Sequence, residues 1–259
     1  MLSRDGAMAV LRRLCVEEAK FRGLNEAITN TRTLTRRLKE LLELGLIQRV
    51  GTSYRITSEG FDVTIAIAEL ERKAAERRVR FEELAKLRYG WMRLSLMRLI
   101  EIFNQEFSDE LLSIVLYGSA VRDSFQLGRS DVDLLYILED RSRNVWRREG
   151  RAFKGFQSTW EYRACDHWLK TQGTYGYPEV AMVWLLKSDA EKFQPIYLDM
   201  LSHRAVLYDT GEFFQNLMKR LEEALKALGT IRIEHPGGAH SWLLKPDIAP
   251  GELIEINLG

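Results

Sequence analysis

Two aspartates, Asp131 and Asp133, stand one residue apart at the head of the apolar run Leu134-Leu135-Tyr136-Ile137-Leu138 in a chain of 259 residues. The run reads as a β-strand, and on a strand residues i and i+2 project to the same face. Two carboxylates so placed repel, and each raises the other's pKa unless a cation neutralises them. A hard, oxygen-loving ion suits the pair. Mg²⁺ is the natural choice, and it is usually shared with the phosphates of a substrate. Upstream lies Gly118-Ser119, with positions 120–130 between the two motifs. Leu111 to Tyr117 forms an apolar run bracketed by Asp109 and Gly118, which predicts a second strand ending at the glycine. Gly118 permits close backbone approach. The N–H groups of Ser119 and Ala120 are expected to open a helix through Val121-Arg122, whose dipole favours a phosphate. Arg122 and Arg129 flank the motifs and can neutralise phosphate charge, or else form surface ion pairs. A phosphate cradle followed by paired carboxylates suits phosphoryl-group chemistry.

Tyr117-Gly118-Ser119 and Ser130-Asp131-Val132-Asp133-Leu134 together resemble the signature of the DNA polymerase β-like nucleotidyltransferase superfamily. That signature is a hydrophobic residue, Gly-Ser, a spacer of about this length, then Asp-hydrophobic-Asp. The resemblance implies attack of an acceptor hydroxyl on the α-phosphate of a nucleoside triphosphate, with pyrophosphate released. It implies that Asp131 and Asp133 hold Mg²⁺ and that Gly118 and Ser119 hold the β- and γ-phosphates. The superfamily adds a third carboxylate on a later strand, which activates the attacking hydroxyl. Glu179, at the entrance of the apolar run Val180 to Leu185, is the leading candidate here. Its alternative reading is a solvated strand end beside Pro178. Asp166 is a weaker candidate, because it falls in a helical pattern. Minimal members of the superfamily often act as antitoxins that modify a toxin, so a toxin-like protein is one acceptor class. A nucleic-acid end and a small molecule are the others.

The elements that carry these motifs follow a different module. Ala9, Val10, Leu11, Leu14 and Cys15 recur at helical spacing, and Leu24, Ala27 and Ile28 suggest a short second helix. Asn30 to Thr33 supplies cap chemistry for a third helix, Leu34 to Leu44, with Gly45 as its left-handed stop. Leu46 to Val50 and Tyr54 to Thr57 read as two strands around the Gly51-Thr52-Ser53 turn, and a fourth helix follows Ser58. This succession resembles winged-helix transcription regulators of the MarR and HxlR type. The resemblance implies that the third helix is a recognition helix presenting Arg32, Thr35, Arg36 and Lys39 to duplex DNA. Arg49 and Arg55 of the wing would then touch flanking phosphates. A winged helix also serves protein contacts, and a basic helix face is often merely solvated.

Charge separates the modules. The chain sums to +1, yet residues 1–98 carry 20 basic and 13 acidic side chains, while residues 99–259 carry 18 and 24. Such asymmetry is expected of a nucleic-acid-binding arm beside a different module. From Phe61 to Phe103 there is no proline and one glycine, which predicts one or two long helices. They would form a spacer docking through Trp91 and Met92, or a surface for homodimerisation. The basic stretch Arg141 to Lys154 is helical, and the aromatics Phe153, Phe156, Trp160 and Trp168 follow. Basic residues with aromatics can hold nucleic acid or a base, and an amphipathic helix covering the sheet is the plainer reading for the aromatics. In the tail, Leu198 to Tyr208 is helical then extended, Phe213 to Leu228 is an amphipathic helix, and Pro236-Gly237-Gly238 is a turn. Lys245 and Asp247 either reach the site or close a turn. This tail extends the resemblance to prokaryotic, especially archaeal, fusions of a winged helix with a minimal nucleotidyltransferase.

The expected fold class is therefore α+β. It comprises an N-terminal winged helix-turn-helix over 1–62, a helical connector over 63–104, and a nucleotidyltransferase-fold mixed sheet flanked by helices over 105–259. A Mg²⁺-dependent nucleotidyltransferase coupled to a DNA-binding module is the leading functional expectation. The alternative is a DNA-binding regulator that senses nucleotide without turnover. Composition excludes other classes. Hydrophobic residues at 46% and aromatics at 10% are ordinary globular values, and no run approaches the roughly 20 apolar residues of a membrane span. Cys15 and Cys165 lack metal-ligand spacing and read as reduced core thiols, which agrees with an expected cytoplasmic location.

Overall fold

The computed structural model describes residues 6–75, 79–122, 124–235, 240–249 and 251–259. The expected Pro236-Gly237-Gly238 turn lies outside the described residues. In chain order the elements begin with α1 (Ala7–Val16), β1 (Ala19–Lys20), α2 (Phe21–Leu24), α3 (Thr31–Glu43), β2 (Ile47–Val50) and β3 (Ser53–Ile56). Then come α4 (Ser58–Ala75), α5 (Phe81–Ala85), α6 (Gly90–Phe107), β4 (Leu111–Tyr117), β5 (Val132–Leu138), α7 (Val145–Gln157) and α8 (Trp160–Thr171). The chain ends with β6 (Val180–Leu186), α9 (Lys187–Ala190), α10 (Ile196–Met200), β7 (Ala205–Asp209), α11 (Phe213–Ala227), β8 (Ile231–Glu234) and β9 (His240–Leu243). The architecture is α+β with a mixed four-stranded sheet. No described helix is long and apolar enough to cross a membrane.

The chain folds as two compact units whose limits differ from the stretches 1–62, 63–104 and 105–259. The first holds Met1–Glu106, Leu127–Arg129 and Trp146–Pro178; the second holds Phe107–Gln126, Ser130–Val145 and Glu179–Gly259. In the first unit, α1 buries Val10, Leu11, Leu14 and Cys15, the face that helical spacing marks as apolar. The side chain of Asn30 caps α3 by accepting the Thr33 N–H at 3.0 Å, and Gly45 follows α3 at φ +68°. Strand order is β1-β3-β2, antiparallel throughout. The expected second helix is only the single turn α2, and Ala27 and Ile28 follow it as a loop hydrogen-bonded back to the Leu24 carbonyl. The connector is broken into α4, α5 and α6, and Trp91 and Met92 of α6 are buried.

Helices α7 and α8 belong to this first unit because their apolar surfaces are satisfied there. The indole N–H of Trp160 donates to the Arg12 carbonyl at 3.0 Å, and Phe61 stacks on Trp168 with ring centroids 4.4 Å apart. Arg72 of α4 pairs with both Glu101 of α6 and Glu161 of α8, so three helices share one guanidinium. Cys15 and Cys165 are free and buried. Burial pushes the Cys15 thiol up to about 12 and raises Cys165 as well.

The second unit is built on the sheet β6-β5-β4-β7. β4 pairs antiparallel with β5 and β7, whereas β5 and β6 run parallel. Both central strands are almost wholly buried, which explains their near-continuous apolar sequence. α10 and α11 cover the sheet through Tyr197, Met200, Phe214, Leu217 and Leu221, packed on Val115, Leu135 and Ile137. The tail adds the antiparallel hairpin β8–β9. Lys245 pairs with Glu252, so its role is to close a turn.

Candidate active site

In the second unit, antiparallel pairing of β4 with β5 sets Tyr117 opposite Asp133. The chain leaves β4 through Gly118 at φ +72°, a conformation that only glycine adopts without strain. Space imposes the same choice. A Cβ on Gly118 would stand 2.1 Å from Asp133 Oδ2, so the carboxylate occupies the volume that any other residue would fill. The expected helix after Gly118 does not form. Gly118–Val121 makes one 3₁₀ turn and the backbone is extended again at Arg122, with φ −113° and ψ 159°. A single turn carries little macrodipole, so the dipole expected to favour a phosphate here is small.

Asp131 sits one residue before β5 and is exposed, while Asp133 lies within the strand and is half-buried. A reciprocal pair of hydrogen bonds fixes the approach: Ser130 N–H donates to the Gln126 carbonyl at 2.9 Å, and Gln126 N–H donates to Ser130 Oγ at 3.0 Å. Burial raises the Asp133 carboxyl above its ordinary range, the Asp131 charge raises it further, and Arg122 pulls it back. A carboxylate pair held at such cost suits a divalent cation.

Glu179 is exposed at the head of β6, and its carbonyl accepts the Val132 N–H at 2.8 Å. The register pairs Val132 with Val180 and Asp133 with Ala181, so the backbone of Glu179 stands level with Asp131. Among the described residues no three His, Cys, Asp or Glu side chains gather in a metal-holding group. Asp166, in the first unit, pairs with Lys170 at 2.7 Å and accepts the Tyr177 N–H at 3.0 Å, which is a structural role. Arg129 is exposed in the short Leu127–Arg129 segment of the first unit. Ser119 is half-buried in the turn itself.

Two residues escaped the sequence reading. Asp199 of α10 lies 4.0 Å from Arg122 Nη2, and His240 Nε2 of β9 lies 3.6 Å from the same Asp199 oxygen. Tyr117 is pushed up to about 12 by burial, with the Asp133 and Asp199 charges adding to it. Arg122 thus acts on one aspartate of the motif and pairs with a second from the C-terminal third of the chain. No local pattern marks Asp199, since contact across nearly eighty positions leaves no periodic trace.

The first unit presents a second candidate surface. Arg32, Thr35, Arg36 and Lys39 are all exposed on α3, while Arg37 turns inward to Glu40 at 2.7 Å. Arg32 and Arg36 make no ion pair among the described residues; Lys39 stands 3.8 Å from Glu43. Arg49 is exposed, its Nε donating to the Gly51 carbonyl at 3.3 Å. Arg55 is paired with Glu18, so its charge is already partly answered.

Residues 96–172 match the family model described as a nucleotidyltransferase domain. The matched segment contains Gly118-Ser119 and Asp131-Val132-Asp133 and ends before Glu179. It supports a nucleotidyltransferase enzyme, and hence a nucleoside triphosphate substrate. No curated protein and no solved structure matches the chain significantly.

Proposed function

We propose that the protein transfers a nucleoside monophosphate from a nucleoside triphosphate to a hydroxyl acceptor, and that a DNA-binding winged helix-turn-helix within residues 1–62 localises the reaction. The observation that carries the catalytic reading is the interlock of Gly118 with Asp133 beside Asp131, inside the segment similar to nucleotidyltransferase domains. The acceptor oxygen attacks the α-phosphorus, its proton passes to a base, and the bond to the β-phosphate bridging oxygen breaks to release pyrophosphate. Mg²⁺ bound to Asp131 and Asp133 would neutralise charge on the attacking and leaving oxygens. Gly118 and Ser119 line the triphosphate side, with Arg122 as its cation. Arg129 is the outlying candidate for the same task. Glu179 is the proposed base, because the register brings its backbone level with Asp131.

A second reading, a regulator that binds nucleotide without turning it over, is favoured by one feature. Ala181, not an acid, stands opposite Asp133 on β6. Incubation with α-phosphate-labelled nucleotides and cell extract separates the two. Wild type should transfer label to an acceptor, and Asp131→Asn/Asp133→Asn should not. Label transfer that survives the double substitution would overturn the catalytic assignment. Nucleotide binding without any transfer selects the regulator.

For the N-terminal module, the order α1-β1-α2-α3-β2-β3 with strand order β1-β3-β2 supports the winged-helix reading. Arg32, Thr35, Arg36 and Lys39 then meet the major groove, with Arg49 and Arg55 on flanking phosphates. A toxin-like protein acceptor and a homodimer through the connector remain parts of this proposal.

A further inference from the structure

Helix α7 carries an exposed stripe unrelated to its packing. Its inner face is fixed within the first unit. Ala152 and Phe156 are buried, the Phe156 ring meets Tyr162 edge-on at 5.1 Å, and Arg148 Nη2 donates to the Glu106 carbonyl at 2.7 Å. The outer face shows Arg147, Gly150 and Lys154, spaced three and four residues apart and therefore on one line. Arg147 and Lys154 are exposed and make no ion pair among the described residues. Between them, Gly150 weakens the helix, and the fold does not require it: a Cβ there would meet nothing within 4 Å. A glycine that neither the backbone conformation nor a neighbour demands, set between two cations that pair with no described acid, lets an outside partner approach the helix backbone closely. The compact unit bearing this stripe holds 27 Lys and Arg against 18 Asp and Glu, so the partner its charge selects is a polyanion.

We infer that α7 is a second DNA-contacting element, with Arg147 and Lys154 on phosphates and Gly150 at the point of closest approach. This rests on the reading of α3 as a DNA contact and enlarges its footprint. α3 would supply base edges, and α7 would supply only backbone contacts that carry no sequence preference.

The test is fluorescence anisotropy of the full chain with a labelled mixed-sequence duplex over a salt series. Three proteins are compared with wild type: Arg147→Gln/Lys154→Gln, Gly150→Ala, and Arg32→Ala/Arg36→Ala on α3. The α7 double variant should lose about 2 from the slope of log affinity against log salt, roughly 0.9 for each phosphate contact removed. Gly150→Ala should raise the melting temperature, because alanine favours the helix, yet weaken duplex binding by about 3-fold or more through crowding of the backbone approach. A merely solvated face predicts the higher melting temperature with unchanged affinity, and that result would overturn the inference. So would a wild-type salt slope in the α7 double variant while the α3 variant loses binding, which leaves the α3 reading intact. Wild type that fails to bind duplex at low salt removes both.

Discussion

Position 118 is doubly constrained, by a φ of +72° and by the Asp133 oxygen that fills the space of a side chain. Gly118→Ala must therefore displace the carboxylate or the turn. Displacements near 1 Å in such sites cost about 100-fold in rate, so label transfer should fall by about that factor while circular dichroism stays native. Near-wild-type transfer would show that the close approach is dispensable. Asp133 allows a test on stability. Because burial and the Asp131 charge raise its folded-state pKa, the folded chain keeps a proton that the unfolded chain releases. Its contribution to stability therefore declines as pH rises from the ordinary aspartate range through the folded value. Metal-free Asp133→Asn should melt no lower than wild type at neutral pH, and the two should converge in acid. A variant that melts lower at neutral pH contradicts this. Gly118-Ser119 and Asp131-Val132-Asp133 were legible because each is a local string on a predictable strand end. Asp199 and His240 were not, since the meeting of Asp199 with Arg122, and of His240 with Asp199, depends on α10 and β9 being brought back by the fold.

Among the elements, α3 ends within one residue of the expected Leu44, marked by Gly45, while its start at Thr31 precedes the expected Leu34 by three, because the cap is the first residue of the Asn30–Thr33 stretch. Its cap is a checkable prediction: Asn30→Ala removes the acceptor for the Thr33 N–H and should cost about 1 kcal/mol in urea unfolding. An unchanged midpoint would mean water replaces the cap. The segment after Gly118 misled for a physical reason. Gly-Ser-Ala-Val can start a helix, yet the chain is needed at Arg122 in extended form, and one 3₁₀ turn is all that fits. Helices α7 and α8 illustrate another limit. Periodicity shows which face of a helix is apolar but not what it packs against: Trp160 and Trp168, expected to cover the sheet, meet Arg12 and Phe61 of the N-terminal helices instead.

For the whole molecule, the sequence halves understate the charge separation. Assigned by compact unit, the first carries 27 basic and 18 acidic side chains, the second 11 and 19. A chain of net +1 with its cations so gathered should be held by a polyanionic heparin matrix at neutral pH and elute only in a salt gradient. Passage without retention at low salt would show that the basic side chains do not act together.

The path of the chain through the units has a consequence for its synthesis. The polypeptide enters the second unit at Phe107, returns for Leu127–Arg129, leaves again, and comes back for Trp146–Pro178. The unit that contains the amino terminus is therefore finished only when Pro178 has left the ribosome, long after its first helices have emerged. Deletion of residues 1–106 keeps every residue of the second unit, and truncation after Pro178 keeps every residue of the first, but each leaves stretches of the other unit behind without the rest of it. Point substitutions separate the two proposed tasks without leaving such stretches behind.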